Sequence, residues 1–213
     1  KAWWRIGEIR TALGDDNKGE LAREPAEQAY QTALTIWQTM GNELPGDAET
    51  RQQVASACNW RAYASYRRKE FAKALQYYHR AVQFDPGNAA FHNSLAWALA
   101  MGPDPEFRNP QQAVDLAAKA VRLHPGHMGF WNTLGVAQYR AGQWDAAIES
   151  LHKSDALEGG KGSSFNGFSL AMAYRRIGKP GEARTWYDKA VRWMDENQPA
   201  NEELLRFRAE AAQ

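Results

Sequence analysis

Apolar and polar positions alternate along most of this chain with a helical period. From Phe130 to Leu157 the sequence reads FWNTLGVAQYRAGQWDAAIESLHKSDAL, two amphipathic halves joined at Ala141-Gly142-Gln143. In each half apolar residues return every three or four positions, and the residues between the halves are polar, which predicts a pair of helices and a tight turn. The pair recurs. Gly135, Ala147 and Ser154 stand at relative spacings 0, 12 and 19, and Ala62, Ala74, Ala81 and Ala171, Ala183, Ala190 repeat those spacings. Ala96 opens a further copy whose later members, Ala113 and Ala120, come five residues late; Gly7 opens another, with Ala26 and Ala33 seven late. Small residues return where paired helices approach closest, because a larger side chain would push the axes apart.

Turns and caps punctuate the pattern. Arg67 to Glu70, Arg140 to Gln143 and Arg175 to Lys179 are predicted turns within pairs. Asp85-Pro86-Gly87 and His124-Pro125-Gly126 end two second helices, since Pro and Gly do not continue a helix cheaply. Met101 to Val114 lengthens the turn of its copy. Within it Asn109-Pro110-Gln111-Gln112 reads as an N-cap, a proline at the first helical position and a capping-box glutamine, so the second helix restarts cleanly. Gly14 to Pro25 is a similar polar detour, Asn42 to Glu49 separates two long helices, and Glu158 to Ser164 is a glycine-rich joint. The tail holds one more helix, started by Pro199 and Asn201. Leu204, Leu205 and Phe207 are its expected apolar side, with Arg206, Arg208 and Glu210 facing out. No strand pattern occurs.

This phasing resembles the tetratricopeptide repeat (TPR), whose consensus runs W-x2-L-G-x2-Y, A-x3-F, A, P. Trp131, Leu134, Gly135, Ala147, Leu151 and Ser154 match it; so do Leu170, Ala171, Tyr174, Ala183, Tyr187 and Ala190. Leu95, Ala96, Ala113, Ala120 and Pro125 make another copy, as do Ala62, Phe71, Ala74, Tyr78, Ala81 and Pro86, and Trp3, Ile6, Gly7, Ala26, Tyr30 and Ala33. Arg61 and Gln138 depart from the consensus, where Leu and Tyr are usual. The resemblance implies an all-α, right-handed TPR superhelix of about five helix pairs, near residues 2–41, 50–87, 88–126, 127–160 and 163–197, with a capping helix at 199–213. Terminal helices with a polar outer face keep such arrays soluble.

In TPR arrays the first helix of each pair lines the concave face. The residue three before the small position and the one after it are expected to point into that groove, which selects Asn59, Tyr63, Asn93, Trp97, Asn132, Val136, Phe168 and Met172, with Trp4 and Glu8 in the first copy. Tyr66, Arg67, Tyr139, Arg140, Arg175 and Arg176 stand nearer the mouth, and Arg140 and Arg176 complete the candidate site. Three asparagines in one phase suit an extended peptide, because a carboxamide donates and accepts at once. The aromatics would make side-chain pockets and the arginines would take a carboxylate. The alternative is that these asparagines brace neighbouring helices.

Composition narrows the functions. The 213 residues carry a formal net charge of +1, which gives no basis for a nucleic-acid footprint. One cysteine, Cys58, allows no intrachain disulfide and sits in an apolar run that predicts packing rather than reactivity. No apolar stretch approaches the roughly 20 residues of a membrane span. Gly159 to Ser164 is not a phosphate loop: Gly follows Lys161 where Ser or Thr belongs, and a helix precedes it. His124 and His127 lack the further ligands of a metal site. No catalytic triad or paired carboxylate stands out. The expectation is a non-enzymatic protein–protein interaction module without cofactor or metal, cytoplasmic, cut from a longer protein, binding a peptide or protein in its groove. A self-assembly module stacking through its ends is the alternative. The stretch from Leu95 to Pro125 also resembles TPR arrays attached to bacterial Ser/Thr protein kinases, although G-x-G-x-x-G, H-R-D and D-F-G are absent.

Overall fold

In the computed structural model of the chain, residues 48–160 and 164–212 are described. The first copy, including Trp4 and Glu8, lies outside them, as do 161–163 of the glycine-rich joint. The described residues contain nine α-helices and one 3-10 turn, and no strand. They are α1 (Ala48–Arg67), α2 (Phe71–Phe84), α3 (Ala89–Met101), α4 (Pro110–Leu123), α5 (Met128–Arg140), α6 (Trp144–Leu157), α7 (Ser164–Arg176), α8 (Pro180–Asn197) and α9 (Glu202–Ala211). The chain divides into two compact units, Lys1–Pro86 and Gly87–Gln213.

In the first unit α1 packs against α2. Ala62, Ala74 and Ala81 are fully buried at the contact, beside Tyr78 and Phe84. Cys58 is buried here too, and loss of hydration pushes its thiol from 9.0 up to about 12, against the opposing pull of Arg80 and Arg61.

In the second unit three pairs follow one another: α3 with α4, α5 with α6, α7 with α8. Each second helix also packs on the next first helix, α4 on α5 and α6 on α7, and the first helices touch one another. Ala89, Ala96, Ala117, Ala120, Val121, Phe130 and Leu134 form one cluster through the first of these junctions. The small positions lie where the spacing put them. A Cβ on Gly135 would stand 2.5 Å from Leu151 Cγ and 3.1 Å from the Ala147 carbonyl; one on Gly167 would stand 2.7 Å from Ala190 Cβ. Ser154 occupies a position that is alanine in the other described copies. It remains buried because its hydroxyl donates to the Met128 carbonyl at 2.9 Å.

Three of the within-pair turns share one device. Lys69, Gly142 and Gly178 each follow their small position by seven residues and hold φ near +63°, +78° and +75°. The next amide reaches back over the helix end: Glu70 N–H to Ser65, Gln143 to Gln138 and Lys179 to Tyr174, each at 2.9 Å. These are Schellman closures, which satisfy carbonyls that the helix leaves open. The copy beginning at Ala96 replaces the device with its insertion. A 3-10 turn at Pro105–Phe107 is followed by Asn109, whose backbone N–H donates to Leu99 O and whose side chain accepts from Gln112 N at 3.1 Å. The predicted cap therefore starts α4, with Pro110 in its first turn.

Candidate partner-binding face

Within the second unit two of the predicted residues, Trp97 on α3 and Arg140 on α5, meet the tail helix α9, together with Phe165 of α7, which the copy register did not select. Asn201 starts that helix by accepting from the amides of Glu203 and Leu204 at 3.0 Å. Leu204, Phe207 and Ala211 are buried, a stripe at i, i+3 and i+7. Leu205 lies off that stripe and is 45% exposed, and Glu210 does not face out, which corrects two assignments read from the tail. Phe207 stacks on Trp97 of α3, ring centroids 6.4 Å apart and planes 19° apart, and meets Phe165 of α7 edge-on at 5.6 Å. Phe165 in turn meets Trp97 edge-on at 6.1 Å.

Two polar contacts flank the aromatic cluster. Trp97 Nε1 donates to Glu203 Oε1 at 3.2 Å. Arg140 at the end of α5 grips Glu210 with both terminal nitrogens, Nη2 to Oε2 at 2.6 Å and Nη1 to Oε1. Such a planar, two-point pairing carries geometric specificity as well as charge. The arginine side chain is largely sheltered and its Nη2 also lies 3.8 Å from Met101 Sδ. Thus Glu203, Phe207 and Glu210, on one face of α9 at i, i+4 and i+7, meet three first helices.

The other predicted residues of this unit divide by surroundings. Val136, Phe168 and Met172 are buried, with Phe168 packed edge-on against Tyr187 of α8, 5.8 Å between centroids. They belong to the helix-pair interior. Asn132 donates from Nδ2 to Asn166 Oδ1 at 2.9 Å, and the buried Asn166 reaches on to Glu158 Oε2 at 3.4 Å. That chain braces α5 to α7 and to the end of α6. Asn93 is half-buried, and its Oδ1 has no hydrogen-bond partner among the described residues. Arg176 is exposed.

In the first unit the equivalent residues are open. Tyr63 is 50% exposed and Trp60 43% exposed, the two rings meeting edge-on at 6.1 Å. The Oδ1 of Asn59, one turn before Tyr63, is buried without a hydrogen-bond partner among the described residues. Among the described residues no group of three or more His, Cys, Asp or Glu is placed to hold a metal ion; His124 is exposed and His127 stacks on Phe130. No described helix is long and apolar enough to cross a membrane.

Tetratricopeptide-repeat models match residues 55–88, 106–156 and 168–195, together more than half of the chain. The chain belongs to the tetratricopeptide-repeat family. The TPR chain is 27% identical over 114 residues to the heat-shock protein cognate co-chaperone sgt12 of Aspergillus fumigatus, across 54% of this chain and 32% of that one. It is 27% identical over 157 residues to DnaJ homolog subfamily C member 7 of Homo sapiens, across 72% of this chain and 30% of that one. It thus spans about a third of the length of these relatives. Among solved structures, MamA superposes with a TM-score of 0.60 at 19% identity, covering 92% of this chain and 96% of that one. The Sgt2 TPR domain from Aspergillus fumigatus gives 0.53 at 24%, covering 60% and 81%. A thermophilic TPR protein of Thermus thermophilus gives 0.53 at 22%, covering 98% of each. At these identities the likeness establishes the all-α TPR fold. No relative with a kinase-attached array is among these matches, and the TPR assignment stands without that attribution.

Proposed function

We propose that the chain is a protein–protein interaction module, a scaffold or adaptor that holds a peptide or protein partner on the first helices of its repeats. One observation carries this reading. The first-helix face of α1 presents an exposed Trp60–Tyr63 pair. An aromatic surface supplies contact area at low entropy cost. The co-chaperone relatives support a binding rather than a catalytic role. Tyr63 and Arg176 are the exposed side chains of the predicted set, with Asn59 and Asn93 half-buried; Trp97 and Arg140 act through the contacts described above.

On the same reading the chain is cytoplasmic, has no use for nucleic acid, and is the non-catalytic part of a larger signalling protein, as its resemblance to kinase-attached arrays implied. Affinity capture with the full chain and with an Asn59→Ala, Tyr63→Ala double variant of unchanged helix content tests the assignment. Proteins held by the wild type and lost by the variant support it. Identical captured sets overturn it. Light scattering across a concentration series reads self-association separately, as a mass that climbs with concentration.

A further inference from the structure

The face formed by α3, α5 and α7 already holds a helix, and the way it holds it specifies a ligand. Most of the contact is made by one face of α9. Its aromatic centre, Phe207, packs against both Trp97 and Phe165, which also meet each other. An acid four residues before it takes the Trp97 indole N–H, and an acid three residues after it takes the two-point grip of Arg140. A terminal helix that only closed the last repeat would need no more than an apolar stripe against α7 and α8. Residues from α3 and α5 have no part in that task, yet Trp97 and Arg140 supply the indole and the guanidinium.

α9 is also short and lightly tethered. Its ten residues reach about 15 Å. The link from α8 is the three residues Gln198 to Ala200 and the cap Asn201, exposed except for the half-buried cap.

We propose that α9 is an intramolecular stand-in for the partner of this face, and that the partner is an amphipathic helix carrying acid–x3–aromatic–x2–acid, which binds by displacing it. This rests on the adaptor reading and adds the partner's chemistry and its control. A segment on a short link competes at an effective concentration on the order of 1 mM, so a helix in trans binds weakly until α9 is loosened or outmatched. Apparent affinity falls by the fraction of chains in which the face is open.

The test uses the full chain and a fluorescent peptide with the sequence of residues 198–212, followed by anisotropy. Glu203→Gln with Glu210→Gln removes the two acids of α9 that Trp97 and Arg140 hold and keeps its apolar stripe, so the repeats stay folded. The expected result is peptide affinity at least about tenfold higher for this variant than for the wild type, with the gain abolished by adding Arg140→Ala. Phe207→Ala, which loosens α9 by another route, should shift affinity in the same direction. Equal affinity of wild type and loosened chains overturns the proposal, as does failure of every chain to bind the peptide; α9 is then a permanent cap. Capture that depends on Tyr63 would persist in that case, leaving the adaptor reading standing.

Discussion

Tyr63 and Trp97 occupy the same place in the repeat, one residue after the small position, and they live in different surroundings. In the first unit Tyr63 is half exposed beside Trp60. In the second, Trp97 is stacked by Phe207 and hydrogen-bonded to Glu203. Asn59 and Asn132 show the same contrast: one carbonyl without a partner among the described residues, the other carboxamide committed to Asn166. The frames that carry Asn59 and Asn132 are alike, down to the seven-residue interval between small position and left-handed turn, while the copy of Trp97 carries its insertion instead. A repeat therefore fixes where a side chain starts, and the rest of the chain decides whether it is available.

If the frames are alike, crowding them should hurt both units equally. Ala74→Leu and Ala147→Leu each place extra volume at a fully buried helix contact and should each cost roughly 1–3 kcal/mol in thermal or urea melts. Gln143→Leu, in the turn between α5 and α6, should cost little. Equal shifts for Ala147→Leu and Gln143→Leu would contradict the phasing. The faces, by contrast, should respond differently. Asn132→Ala strands the buried Asn166 carbonyl and should cost about 1–3 kcal/mol, whereas Asn59→Ala removes a buried oxygen without a partner among the described residues and should leave the melting temperature almost unchanged. Matching losses at the two asparagines would erase the distinction between an open and a braced face.

A smaller difference lies in the turns. Lys69 holds a positive φ that glycine holds in the other two, so Lys69→Gly should stabilise the first unit by about 0.5–1 kcal/mol, and Gly142→Ala should destabilise the second by a similar amount. Smallest is the pH response. Burial lowers the pKa of His79 in the first unit and of His152 in the second from 6.5, the latter beside the Tyr174 hydroxyl at 2.7 Å. Unfolding releases each ring to take up a proton more readily. Stability is therefore full above pH 6.5 and declines as pH falls through 6.5 toward the lowered folded values. Denaturant titrations at pH 7.5 and 5.5 should show the decline, and His152→Gln should flatten it; a midpoint that rises on acidification would reverse the assignment.

Much of this frame was legible in the spacing of small residues. Gly135 meets Leu151 and Ala147 because a 12-residue interval brings the second helix back over the first, and that interval is local. The capping box at Asn109 was legible for the same reason. The destination of α9 was not. Helical periodicity shows that Leu204 and Phe207 share a stripe, but a period carries no information about which distant helix covers it. The pairing of Arg140 with Glu210 spans 70 residues: Arg140 was legible as a taker of a carboxylate, but Glu210 looks in sequence like an ordinary solvated charge. Val136, Phe168 and Met172 were placed on the open face by copy register, and neighbouring helices enclose them instead. The useful clue in the tail was Glu203, Phe207 and Glu210 at i, i+4 and i+7, a mixed acidic and aromatic face that a purely solvent-facing helix has no reason to keep.

The buried thiol of Cys58 gives the first unit a clock of its own. At about 12 its ionisation lies far above neutral pH, and the thiolate is the species that reacts with an alkylating or disulfide reagent. Labelling in the native protein must therefore wait for α1 and α2 to part. As the sequence holds one cysteine, every modified molecule counts an opening at that place, and its rate against denaturant would time the loosening of the first unit separately from any signal of the second.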